Sequence, residues 1–170
     1  QVIAVNDNWR LAPWCEHLYA CDGGWWNYHI SAIMDADIDA ELWTRDKGAA
    51  DRFNLSHIPS FHSGYGLGFP EIRTGSNSGF QAVNLAYVLA RQAGFRAKIL
   101  LTGYDMGKTG NKRHWFGDHP SHLNIASDYN QFLKAFSTID VTKYGIEIIN
   151  CTRGGVLDCF PRMTIDEALA

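Results

Sequence analysis

The chain lacks most of the features that would settle its class at once. No apolar run approaches the roughly 20 residues that span a bilayer, and no cleavable signal opens it, so a cytoplasmic protein with no membrane partner is expected. Basic charge is not in excess: 15 Lys+Arg face 18 Asp+Glu, for a net charge of −3. An extended nucleic-acid surface, which needs a basic face, is therefore not expected. The chain holds four cysteines, and no two form a Cys-x-x-Cys pair. Cys21, Cys151 and Cys159 sit beside apolar residues, which favours buried free thiols in a reducing compartment over a disulfide framework. No Gly-x-Gly-x-x-Gly fingerprint follows the first strand, and no Gly-Lys-Ser/Thr follows the Thr74–Gly79 segment as a Walker motif would require. The chain begins at Gln1 rather than Met and runs straight into an apolar strand. The expectation is one domain over residues 1–170 that lacks its natural N-terminal segment.

What is present is apolar and aromatic. Hydrophobic residues make up 46% of the 170 positions, too many for a disordered chain and enough for a real core. The six Trp and seven Tyr suit either a core or a ligand-stacking surface.

Segments with strand character alternate with segments of helical period. Val2-Ile-Ala-Val5 and His17-Leu-Tyr-Ala-Cys21 read as strands, the second ending at the Asp22-Gly23-Gly24 turn. Trp26, His29, Ile30 and Ile33 repeat at helical spacing over Trp25–Ile33, and Glu41–Thr44 reads as a third strand. Residues 46–77 hold Pro59, Pro70 and scattered glycines and read as a long loop or flap. A helix capped by Ser78 carries the apolar stripe Val83, Leu85, Ala86, Leu89 and Ala90 up to Gly94. Lys98–Gly103 is the strongest strand, followed by a helix from about Leu123 to Phe136, a strand at Ile146–Asn150 and a short helix from about Thr164. This alternation predicts an α/β fold: a Rossmann-like three-layer sandwich with a mostly parallel sheet of about five to six strands.

In such a fold ligands lie at the carboxyl ends of the strands. Asn6-Asp7-Asn8, Asp22-Gly23-Gly24, Thr102-Gly-Tyr-Asp105 and Asn150-Cys-Thr-Arg153 end strands, and Thr74-Gly-Ser-Asn-Ser-Gly79 opens a helix. Their small polar groups, glycines and carboxylates favour a ligand site over a purely structural domain. The helix start at Asn77, Ser78 and Gly79 is the candidate anion or nucleotide cradle, because small residues expose backbone N–H groups and the helix dipole attracts negative charge. Capping alone explains it about as well.

The run His114-Trp-Phe-Gly-Asp-His-Pro-Ser-His122 places three of the seven histidines and one Asp within nine residues. His119 or His114 suits a general base, because imidazole titrates near neutrality. A metal set of His114, Asp118, His119 and His122 matches no zinc spacing, and Pro120 makes the segment a loop, so no metal is expected. The run Asp35-Ala-Asp37-Ile-Asp39 fits a solvated loop better than a metal-holding Asp-x-Asp motif.

Taken in order, Val2-Ile-Ala-Val-Asn6, Ser76–Tyr87, Ile99-Leu-Leu-Thr-Gly-Tyr-Asp105, His114–His119, Ile149-Asn-Cys-Thr and Phe160-Pro161 resemble a group of small phage and prophage proteins, some labelled morphogenetic. More distantly they resemble the Rossmann-like bacterial sialyltransferases of the Campylobacter type and domain of unknown function 115. The phage resemblance covers nearly the whole chain, and the sialyltransferase resemblance covers those blocks. It implies a metal-independent, cofactor-free enzyme acting on a nucleotide sugar. Asn6 resembles the asparagine that contacts the nucleotide. Asn77, Ser78 and Gly79 resemble the Thr-Ser-Gly helix start that holds the cytidine monophosphate. His119, or else His114, resembles the general base on the acceptor hydroxyl. Asp22 and Asp105 complete the expected nucleotide-binding set at the strand ends. The chain departs from that family in having no Gly-Pro-Ser-Leu-type phosphate loop and a short acceptor lid, and only Tyr104 and Tyr65 are candidates for the tyrosines that assist the leaving phosphate. The alternatives are a non-catalytic phage accessory or assembly protein that keeps the nucleotide-binding fold, and a metal-dependent hydrolase or phosphotransferase built on the His114–His122 cluster.

Overall fold

A computed structural model describes residues 1–62, 65–107 and 128–170. The largest sheet has four parallel strands in the order β1 (Ile3–Val5), β2 (His17–Tyr19), β3 (Glu41–Thr44) and β4 (Ser56–His57). Sequential order in a parallel sheet puts successive crossovers on one face. Helices α1 (Gly23–Asp35) and α2 (Lys47–Phe53) accordingly share one apolar cluster with Ala4, Leu18 and Ala20. The alternate residues Ile3, Val5, Tyr19 and Trp43 pack in a second cluster with Ala82, Leu85 and Val88 of α3 (Ser78–Gln92). The two-residue period of a strand thus divides the sheet between α1 and α2 on one side and α3 on the other.

Two further parallel pairs stand apart from this sheet. Strands β5 (Ser60–Phe61) and β6 (Ile72–Arg73) form one, and β7 (Lys98–Leu101) and β8 (Glu147–Asn150) form the other. Among the described residues the strands thus fall into one four-stranded and two two-stranded parallel sheets, where the sequence predicts a single sheet of about five to six strands. Residues 46–77 are likewise not one loop, since they contain α2, β4, β5 and β6.

Helix α3 joins the pieces. Its Phe80, Val83 and Tyr87 turn away from the four-stranded sheet into a third cluster with Leu101, Ile148, Leu157, Phe160 and Phe136 of α4 (Tyr129–Ser137). Phe80 stands edge-on to Phe136 at 5.4 Å and is fully buried. Each such ring contributes about 1.5–3 kcal/mol by leaving water. A helix apolar on two sides has to be central, which is why its only buried polar residues, Gln81 and Asn84, are both hydrogen-bonded.

Helices α5 (Val141–Tyr144) and α6 (Ile165–Leu169) complete the chain. Thr164 and Glu167 form a reciprocal capping box at the start of α6. All four cysteines are free, but only Cys15 and Cys21 are buried. Cys159 is exposed and Cys151 intermediate, which corrects the expectation of buried thiols at those two positions. No helix among the described residues is long and apolar enough to cross a membrane.

Candidate functional site

The start of α3 is built by a short left-handed turn. Gly75 (φ +51°) and Ser76 (φ +55°) both lie in the left-handed region. A Cβ on Gly75 would sit 2.3 Å from the Phe80 ring, so only glycine fits there. Asn77 then returns to extended backbone and accepts from the Phe80 N–H at 2.9 Å. The cap is thus Asn77 and not Ser78, one residue earlier than the sequence suggests. Ser78 and Gly79 occupy the first turn. Among the described residues their backbone N–H groups donate to no protein acceptor. Two N–H groups at the positive end of a 15-residue helix form a local anion-attracting surface.

Neighbouring elements hold this turn from three sides. Just past β2, Cys21 Sγ and Ser78 Oγ share a hydrogen bond at 3.1 Å. The Tyr19 hydroxyl donates to Gln81 Oε1 at 2.6 Å, and Gln81 Nε2 donates to the Thr74 carbonyl at 2.7 Å, tying β2, α3 and the turn together. From the connection after β7, the Tyr104 hydroxyl donates to the Gly79 carbonyl at 3.1 Å. The Tyr104 backbone N–H is held in turn by Thr152 Oγ1, past β8, at 2.9 Å. From α4, Gln131 Nε2 donates to Ser76 Oγ at 3.2 Å.

Burial sets the proton states here. It pushes the Cys21 thiol up to about 11 and raises the Tyr104 hydroxyl above its ordinary value. Both groups are therefore protonated at neutral pH.

The structure sets Cys21 and Tyr104, the residues before Asp22 and Asp105, against the α3 start that carries Asn77, Ser78 and Gly79. Asp22 follows Cys21 directly, and its carboxylate lies 4.0 Å from the Arg45 guanidinium. Asp105 follows Tyr104, and its carbonyl accepts from the Val156 N–H at 3.0 Å. Asn6 stands at the same sheet edge: Val5 pairs with Tyr19, so Asn6 is level with Ala20. Its backbone is left-handed (φ +50°), and it makes no side-chain hydrogen bond among the described residues. His114 and His119, with Asp118 and His122, lie outside the described residues.

Three tryptophans that follow candidate strand ends in the sequence are not available as a ligand-stacking surface. Trp9, Trp25 and Trp26 are buried in the cluster under α1. Trp25 Nε1 donates to Asp7 Oδ2 at 3.1 Å, and Asp7 also faces Arg10 at 3.5 Å and His29 at 3.8 Å. This buried carboxylate fastens the 3-10 turn Asn6–Arg10 to α1. The apolar spacing of Trp25, Trp26 and Ile33 was visible in the sequence; the Asp7 partner, 18 residues away, was not.

Among the described residues no group of three or more His, Cys, Asp or Glu is placed to hold a metal ion. No family model, curated protein or solved structure matches this chain.

Proposed function

We propose that this protein binds a nucleotide at the start of α3 and, in its fullest form, transfers a sugar from a nucleotide-sugar donor without a metal. The observation that carries this reading is the pair of unused N–H groups at Ser78 and Gly79, backed by Tyr104 and flanked by Asp22 and Asp105. A phosphate oxygen suits the N–H pair, and ribose or base donors suit the carboxylates and Asn6. The finer architecture belongs to the same proposal. The parallel four-stranded sheet, with α1 and α2 on one face and α3 on the other, supports a Rossmann-like sandwich whose ligand edge is the carboxyl end.

In the transfer step, His119, or else His114, removes the proton from an acceptor hydroxyl. The acceptor oxygen bonds to the anomeric carbon as the bond from that carbon to the phosphate oxygen breaks. The nucleotide leaves carrying the negative charge, and the base holds the proton.

Calorimetric titration with nucleoside mono- and diphosphates, read together with amide exchange over residues 74–79, tests the binding half: saturable heat with slowed exchange there supports it, and no slowing there with any nucleotide sinks it. His119→Ala tests the chemistry. It should abolish transfer and keep nucleotide affinity; unchanged transfer removes His119 from the mechanism. Binding with no transfer from any sugar nucleotide would leave the protein as a non-catalytic accessory of the same fold.

A further inference from the structure

A second cleft lies at the opposite end of α3. It holds about 290 Å³ and is formed by the last turn of α3, the connection into β7, and the connection from α5 into β8. Its floor is Tyr87, buried and edge-on to Tyr144 at 5.5 Å. Three cations line it, Arg91, Arg96 and Lys143, and no carboxylate does. On a chain of net charge −3, such a concentration is local and one-signed.

The surroundings account for only part of that charge. Arg91 and Lys143 lie in the last turns of α3 and α5, where a cation suits the negative helix end. Arg96 belongs to no helix and makes no ion pair among the described residues. On the adjoining elements, Glu147 shares its register position with Lys98 across β7 and β8, and the Asp140 side chain caps α5.

Arg91 is already ordered. Its Nη1 donates to the Tyr87 hydroxyl at 3.1 Å, and its guanidinium lies 4.2 Å from the centre of the Phe69 ring. Ordering a charge before the ligand arrives lowers the entropic cost of binding. Phe95 also lines the cleft and is 73% exposed, an apolar ring left largely open among the described residues. Three cations lining one cleft with an exposed ring match a ligand with an anionic end and a planar body.

We propose that this cleft binds a small phosphate-bearing molecule with a planar ring, of nucleoside-monophosphate size, with Arg91, Arg96 and Lys143 on the phosphate and Phe95 against the ring. The site is separate from the α3 start, because the two lie at opposite ends of that helix.

The test uses the whole chain with adenosine 5′-monophosphate, inorganic phosphate and adenosine as probes, followed by calorimetry and by hydrogen exchange. The monophosphate should bind, inorganic phosphate more weakly, and adenosine at least about tenfold more weakly than the monophosphate. Exchange should slow in residues 90–97 and 143–146. The double reversal Arg96→Glu, Lys143→Glu lies on exposed side chains and should weaken the monophosphate at this cleft about tenfold or more and abolish the slowing at 90–97 and 143–146, independently of exchange at 74–79. Phe95→Ala should weaken the monophosphate and leave inorganic phosphate alone. Gly79→Val, which alters the α3 start, should leave this site intact, so failure here and failure of the proposed nucleotide site are read separately. The proposal is overturned if protection falls only at 74–79, if the double reversal binds as the parent does, or if adenosine binds as tightly as its monophosphate.

Discussion

The Tyr104 hydroxyl donates to the Gly79 carbonyl, and the Tyr104 ring stands where a Gly79 side chain would go. A Cβ at Gly79 would meet Asn77 Oδ1 at 2.9 Å and Tyr104 Cε1 at 3.0 Å. Glycine at this position keeps the helix start open and lets β7 close behind it.

Gly79→Val should therefore cost about 1–3 kcal/mol of stability through overpacking, measured by urea unfolding. It should also lower nucleotide affinity far more than Tyr104→Phe, which removes one hydrogen bond and costs about 1 kcal/mol. Equal affinities in the two variants would mean the exposed N–H pair is not the binding surface.

Arg162 holds the loop after β8 by its carbonyls. Its two Nη groups donate to Thr152, Gly154, Gly155 and Leu157 at 3.3, 2.7, 2.9 and 3.1 Å. Gly155 in turn packs on the Asp105 backbone, since a Cβ there would lie 2.4 Å from Asp105 Cα. Arg162→Lys keeps the charge but cannot reach four acceptors with one ammonium group. It should destabilise the protein by about 1–2 kcal/mol and speed amide exchange over residues 152–157, with α3 protected as before. Unchanged exchange in that loop would show that the glycines, and not the arginine, set its shape.

How much of this was legible depended on the range of the physics involved. The apolar spacing of α3 and the continuous run Lys98-Ile-Leu-Leu are local patterns, and both elements form where those patterns lie. The turn chemistry at Gly75–Asn77 was legible as a helix start because small and amide residues serve few other purposes there. Strands β4, β5 and β6 are two residues each, too short to carry a period, so residues 46–77 read as a loop. The partition of the strands into three sheets rests on pairings between distant residues. No local signal records such pairings. The same holds for Trp25, whose aromatic character suggests a ligand surface until its buried Asp7 partner is known.

Asn84 shows the same long reach and has the largest expected effect on stability. Fully buried on α3, it accepts from the Gly68 and Arg73 N–H groups at 2.9 and 2.7 Å and donates Nδ2 to the Gly68 carbonyl at 2.9 Å. One side chain thus satisfies three backbone groups of the segment that delivers β6 to the α3 start. Asn84→Ala leaves them unpaired beside a cavity and should cost about 3 kcal/mol or more by urea unfolding. Asn84→Asp keeps the acceptor but loses the donor and buries a charge, so it should be no better tolerated at neutral pH. A loss below about 1 kcal/mol in the alanine variant would mean that water replaces the amide.

Cys21 predicts a stability change in alkali. Burial raises its folded-state value from 9.0 to about 11, so the folded protein keeps the thiol proton that the unfolded chain releases above pH 9. The sign follows directly. Stability from this group is fully present below pH 9 and falls between pH 9 and 11, where the unfolded chain binds fewer protons, by about 2–3 kcal/mol in all. Cys159 is shifted in the same direction but is exposed, so its share is smaller. Tyr19 and Tyr104, also raised by burial, continue the decline above pH 10. Cys21→Ala should therefore flatten the pH 9–11 part of the curve and leave the steeper part above it. It also removes the Ser78 contact, so a constant offset at neutral pH, about 1 kcal/mol, should accompany the change in slope. An offset without a change in slope would show that Cys21 reaches solvent in the folded state.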